Sequence, residues 1–271
     1  MAEEFDMTPE EVGRQIRQRL ESLRAAGIEF LPFTNEPLPV AEVSAADEEP
    51  GHRVTLFGED EATPDSPASL SPEQRRVALQ LLAKEAAGCT RCNELASTRT
   101  QTVFGVGPPN PELCFIGEAP GRDEDLQGEP FVGPAGQLLN RILAAAGLKR
   151  EDVYICNILR CRPPGNRPPR VEEAVNCSYY LERTIELLQP RYICTLGASA
   201  AKYLMQLNPA TTMGKLRKRF HDYKGIPVLC TYHPSYLLRL EEPEKTEKKR
   251  EVWEDMKTLL NRMGKPIPGK G

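Results

Sequence analysis

The chain has 271 residues, 39% hydrophobic and 27% charged, with a formal net charge of −4. That is enough apolar content for one sizeable core. No run of 18 apolar residues exists, so no segment is expected to span a bilayer. The acidic start Met1–Met7 lacks the apolar stretch of a signal peptide, so the cytoplasm is the expected compartment. The charge is unevenly spread: residues 1–88 carry 8 basic and 18 acidic side chains, residues 89–271 carry 27 and 21. The second part is therefore basic, as suits a surface that meets phosphates, although an acidic tail on an ordinary domain gives the same split.

In chain order, Thr8-Pro9-Glu10-Glu11 has the residue types of a helix start, and Val12, Ile16, Leu20 and Leu23 then fall on one face before Gly27. Residues 1–30 are read as an N-terminal helix, and residues 31–70, rich in Pro and acid, as a disordered linker. Ser71-Pro72-Glu73-Gln74 opens a second helix that ends near Gly88. From residue 113 short apolar runs alternate with helical periods. Leu113–Ile116, Val153–Asn157, Tyr192–Leu196 and Pro227–Thr231 read as buried strands. Gln137–Ala146, Val171–Leu188, Ser199–Met205 and residues 245–263 read as helices. This alternation predicts a parallel sheet covered on both faces, with ligands at the carboxyl ends of the strands. A single folded domain is expected over residues 71–263, with a tail at 264–271.

Eight cysteines divide into two sets. Cys114, Cys156, Cys194 and Cys230 lie in apolar runs and read as small core residues. Cys89-x2-Cys92, Cys161 and Cys177 lie in polar contexts. Four soft thiolates suit zinc or an iron–sulfur cluster, and the wide second spacing favours the cluster. Either would staple the 72–92 segment to the loop after the second strand.

Four segments stand out, three of them directly after strands: Gly117-Glu118-Ala119-Pro120-Gly121 with Glu124-Asp125; Gly128-Glu129-Pro130-Phe131-Val132-Gly133; Asn157-Ile158-Leu159-Arg160-Cys161-Arg162-Pro163-Pro164; and His233-Pro234-Ser235-Tyr236-Leu237-Leu238-Arg239. Together, in this order and with the four cysteines, they resemble the family-4 uracil-DNA glycosylases, over about residues 89–263. The resemblance implies a three-layer α/β/α sandwich around a four-stranded, mainly parallel sheet, here with an N-terminal extension. It also implies a [4Fe–4S] cluster on Cys89, Cys92, Cys161 and Cys177.

The resemblance implies roles that the chemistry supports. A uracil must leave the duplex to be reached, and Phe131 matches the ring that stacks on it. Asn157 matches the amide that reads N3–H and O4, since one amide offers both an acceptor and a donor. His233 matches the catalytic imidazole, expected neutral and donating to O2 as charge builds there. Ala119 stands where many relatives carry a water-positioning Asp, so backbone carbonyls or Glu118 are left for that task. Glu124 matches an acidic wall beside uracil C5 that would repel a thymine methyl. Ser235, Tyr236, Leu237, Arg239 and Arg162 are the expected DNA contacts, with a wedge among Tyr236, Leu237 and Leu238. Arg160, Arg162, Arg167 and Arg170, and the run Lys215, Arg217, Lys218 and Arg219, are candidate phosphate clamps.

Outside the resemblance each residue has a plainer reading: Phe131 as core, Asn157 as a turn former, His233 as a loop residue, Glu124 and the basic runs as solvated charge. The expected partner is uracil-containing single- or double-stranded DNA, with the chain a monomer and the extension a possible dock for a replication or repair protein. A cross-linking relative with a nucleophilic His after the second strand is a competing reading, but no His occurs between His52 and His221. A non-catalytic DNA-binding or polymerase-accessory module would not need both Asn157 and His233. An electron carrier would be expected to show a flavin or nicotinamide motif, and none is seen.

Overall fold

The computed structural model describes residues 70–269. The expected N-terminal helix, the linker as far as residue 69, His52 and any docking role of the extension lie outside them. Ser71 opens helix α1 (Pro72–Ala87): its Oγ accepts the Gln74 N–H, and the Gln74 side chain accepts the Ser71 N–H in return. This reciprocal cap satisfies two otherwise orphaned donors. A short helix α2 (Asn93–Thr98) follows.

Strands β1 (Leu113–Gly117), β2 (Tyr154–Asn157) and β3 (Tyr192–Leu196) are buried along their whole length. With β4 (Phe220–Tyr223) and β5 (Ile226–Thr231) they form one sheet in the order β2-β1-β3-β5-β4. All neighbouring pairs are parallel except β4 with β5. The sheet therefore has five strands, not the expected four. The fifth was hidden because Phe-His-Asp-Tyr is a half-exposed edge without an apolar run. It returns to β5 through Lys224 and Gly225, both at positive φ (51° and 83°), the conformation of a two-residue hairpin turn.

Helices sit on both faces, as expected. On one face α1, α5 (Val171–Leu188) and α6 (Ala198–Met205) pack on Cys114, Ile116 and Cys156; on the other, α4 (Pro134–Ala145) and α9 (Glu244–Met263) pack on Leu113, Phe115 and Ile155. Alternate residues of one strand thus feed two cores. Cys114, Cys156, Cys194 and Cys230 are fully buried in them. Three further short helices have no counterpart in the sequence pattern: α3 (Arg122–Gln127), α7 (Met213–Leu216) and α8 (Pro234–Arg239). Helices of four to six residues carry too few periods to be legible. Among the described residues no helix is long and apolar enough to cross a membrane.

Candidate active site and cysteine cage

A cleft of about 990 Å³ opens at the carboxyl ends of the strands, where such sheets bind ligands. Each wall continues a strand. Glu118–Glu124 follow β1, Asn157 ends β2, Gly197 follows β3, and Tyr232 and His233 follow β5. Glu118, Ala119, Glu124, Phe131, Asn157, His233, Ser235, Tyr236 and Arg239 all line it, so residues far apart in the chain meet in one hollow.

Two of its lining side chains, Asn157 and Phe131, converge on Gly117. Gly117 and Asn157 are paired across β1 and β2. A Cβ on Gly117 would lie 2.4 Å from Asn157 Oδ1 and 2.6 Å from the Phe131 ring. Glycine is therefore required for the amide and the ring to approach each other. Asn157 is 1% exposed, and among the described residues its buried Oδ1 has no hydrogen-bond partner. An unpaired acceptor of this kind costs free energy unless a ligand donor completes it. The Phe131 ring lies 5.6 Å from that of His233, tilted by 35°.

Phe131 has φ 56°, a conformation that a bulky residue adopts only under constraint. Two features impose it. Gly136 of α4 abuts the Phe131 carbonyl so closely that a Cβ would overlap it. Glu124 is buried and accepts the N–H groups of Val132 (3.0 Å), Gly133 (2.9 Å) and Gly121 (3.1 Å). The expected acidic wall is thus a brace between the two loops, its oxygens spent on backbone amides.

His233 caps α8. Its Nδ1 accepts the Ser235 N–H at 3.1 Å and lies 2.7 Å from Ser235 Oγ, to which Arg239 Nη1 donates at 3.4 Å. A ring nitrogen that accepts an amide proton carries none itself, so Nε2 holds the proton. Burial, with the Arg239 charge second, pushes the imidazole down to about 4. The half-buried ring keeps an edge on the cleft.

Other expectations change. Leu237 is 1% exposed and belongs to the core, whereas its neighbour Leu238 is exposed and lines the cleft. Period decides this: on α8 one leucine must face inward. Arg160 and Arg217 are buried, Arg167 pairs with Glu94 and Glu173, and Arg170 pairs with Glu94, so none is a free phosphate clamp. Arg217 is held by Asp255 at 2.6 Å and by Glu251. It lies 4.4 Å from the centre of the Tyr232 ring, which stacks on Tyr236 at 5.2 Å. Lys215, Lys218 and Arg219 remain exposed, and Arg162 bonds only Asn166. His221 is tied to the Leu216 carbonyl in the turn before β4. Tyr232 and Arg122, which the motifs did not single out, also line the cleft. The only signal for Tyr232 was its place immediately before His233.

Cys89, Cys92, Cys161 and Cys177 surround a second, small hollow behind the β2 loop. Three of their sulfurs accept N–H groups: Cys161 from Arg99 (3.2 Å), Cys177 from the Arg160 backbone (3.3 Å) and Cys92 from Asn176 (3.6 Å). Among the described residues no three His, Cys, Asp or Glu side chains converge as one metal ion would require. Burial raises Cys92 and Cys161 and pushes Cys177 up to about 11. Arg160, deeply buried, bonds three neutral oxygens and lies beside Cys156, whose thiol its neighbours Cys114 and Arg160 bring down to about 7; among the described residues its Nε has no partner. A buried cation calls for a nearby anion.

Comparison with known proteins agrees with this geometry. The family model described as "Uracil DNA glycosylase superfamily" matches residues 104–257. The type-4 uracil-DNA glycosylase of Archaeoglobus fulgidus is 41% identical over 193 residues, 69% of this chain and 94% of that protein. The type-4 enzyme of Thermotoga maritima is 40% identical over 191 residues, 70% of this chain and 98% of its own length. A type-5 uracil-DNA glycosylase of Pyrobaculum aerophilum is more distant, at 30% identity over 179 residues, 55% of this chain and 79% of that protein. With its motif residues gathered in one cleft and four cysteines behind it, the chain belongs to the uracil-DNA glycosylase superfamily, on its type-4 branch.

Proposed function

We propose that the protein hydrolyses the N-glycosidic bond of uracil in DNA, releasing free uracil and leaving an abasic site for repair. The observation that carries this is the orphaned Asn157 Oδ1, set beside the Phe131 ring in the cleft that also holds His233 Nε2–H. An everted uracil stacks on Phe131, gives its N3–H to Asn157 Oδ1 and accepts from the amide NH₂ at O4. Cytosine has no N3–H to give. As the bond breaks, charge collects at O2, and the neutral His233 donates to it through Nε2. Ser235 and Arg239 hold that tautomer, so Ser235 acts on the imidazole rather than on a phosphate. Glu118, on the cleft wall with no side-chain partner, orients the attacking water; Ala119 leaves room for it. Glu124 keeps the Phe131 loop in place.

For DNA, the exposed Leu238 replaces the everted base, Tyr236 lines the rim, and Arg162 and Arg239 face phosphates. Cys89, Cys92, Cys161 and Cys177 would hold a [4Fe–4S] cluster. Their soft donors, the N–H groups aimed at the sulfurs and the buried Arg160 cation nearby fit an anionic cluster of thiolates. Sulfurs spread around a hollow suit a multi-iron core better than a single ion. When bound, the cluster supplies a rigid cross-link between the α1–α2 turn, the loop after β2 and α5.

The test is incubation with oligonucleotides bearing U:A, U:G, T:G and hypoxanthine pairs. Free uracil plus an alkali-labile site is expected from the uracil substrates. A covalent protein–DNA adduct, or binding without release, overturns the proposal.

A further inference from the structure

Arg160 joins the two sites. Its backbone N–H donates to Cys177 Sγ at 3.3 Å, and the next residue, Cys161, is itself a cage cysteine. Its guanidinium turns the other way and donates to the Asn157 carbonyl at 2.9 Å, to Thr184 Oγ1 at 3.0 Å and to the Tyr180 carbonyl at 3.3 Å. Phe104 lies against the guanidinium at 4.9 Å. The side chain is 1% exposed, so it contacts neither solvent nor DNA. Among the described residues no carboxylate pairs with it. The one acceptor that the fork takes from the cleft-lining residues belongs to Asn157.

We infer that Arg160 is a positioning residue for uracil recognition, carrying the placement of the cysteine loop to the backbone of Asn157. Asn157 is the last residue of β2, and after it the chain must leave the sheet. The ladder holds the next two N–H groups on the β1 side, Ile158 to the Gly117 carbonyl (2.9 Å) and Leu159 to the Glu118 carbonyl (3.1 Å). Arg160 adds a restraint at the Asn157 carbonyl itself. It closes a three-residue turn onto the Asn157 carbonyl and anchors it to Tyr180 and Thr184 in the middle of α5. A fork with several fixed donors can do this, whereas a lysine presents a single point of charge. A shift of a few tenths of an ångström at Asn157 misaligns the amide against N3–H and O4, while the DNA-facing surface is unchanged.

This rests on the reading of Asn157 as the uracil reader, and the experiment separates the two. Arg160→Lys, Asn157→Ala and the double variant are compared with the wild-type holoenzyme for inhibition by free uracil, affinity for abasic-site DNA, and iron content with visible absorption. Arg160→Lys is expected to weaken free-uracil affinity about ten-fold, the scale of one charge-assisted hydrogen bond, with abasic-DNA affinity and iron content kept. In the Asn157→Ala background the same substitution is expected to cost nothing more, because Arg160 acts through Asn157. Equal losses in both backgrounds, or a fall in thermal stability with uracil affinity intact, overturn the inference and leave Arg160 a packing residue. If Asn157→Ala itself binds uracil normally, the reader assignment fails first. Should Arg160→Lys not fold, Thr184→Val takes its place. It removes one anchor of the fork, and its smaller loss of uracil affinity must likewise vanish when Asn157 is absent.

Discussion

The Nδ1 atom of His233 accepts the backbone N–H of Ser235 at 3.1 Å, and this contact fixes which ring nitrogen faces the cleft. The donor toward O2 therefore exists before substrate arrives. His233→Ala should lower single-turnover uracil release by about 10²–10³-fold, the usual loss for one such donor. Affinity for abasic-site DNA should stay nearly unchanged. Undiminished turnover would remove His233 from the chemistry.

The pH profile follows from the same ring. His233 is pushed down to about 4, below its ordinary value, by burial first and Arg239 second. Because the folded protein favours the neutral form, activity and the stability linked to it are complete above the ordinary histidine range, and both are lost as pH falls through about 4. Arg239→Gln removes one depressing charge and should move the acid limb of the single-turnover rate upward. A wild-type limb at the ordinary histidine value would contradict the buried neutral imidazole.

Gly117→Ala places a methyl group 2.4 Å from Asn157 Oδ1 and 2.6 Å from the Phe131 ring. The expected result is a folded protein that releases uracil at least ~100-fold more slowly, since small displacements of positioning groups cost about that much. Circular dichroism and single-turnover assays together check this. Wild-type rates would mean that the amide and the ring are not the reading pair.

The two leucines of α8 should separate cleanly. Leu237→Ala opens a buried cavity and should cost about 2–5 kcal/mol of stability in denaturant melts. Leu238→Ala should leave the melt unchanged but weaken turnover on duplex more than on single strands, because only a duplex leaves a gap to refill.

Cys161→Ser should lose iron and stability together, seen as a colourless protein with a lowered melting temperature. Zinc rather than iron in anaerobically purified wild type would contradict the cluster.

What the sequence determined by itself was what local chemistry can write. Buried strands appeared as apolar runs, and long amphipathic helices as periods. Cys-x2-Cys with two later cysteines pointed to a cage of thiols, and four motifs, three of them directly after strands, named the branch of enzymes. Phe131, Asn157 and His233 became legible only through the resemblance, since each also has a plain core, turn or loop reading. Only the tertiary structure decided which side chains were already engaged. It put Leu237 inside and Leu238 outside, spent Glu124 on three backbone amides, buried Arg217 against Asp255 and turned Arg160 from a candidate phosphate clamp into an inner tie. It also added β4, whose polar edge has no apolar signature. The reason is physical: a charge in sequence carries no mark of its partner. Whether an arginine meets a phosphate, a carboxylate or a carbonyl depends on contacts between segments far apart in the chain, which exist only once the sheet has drawn them together.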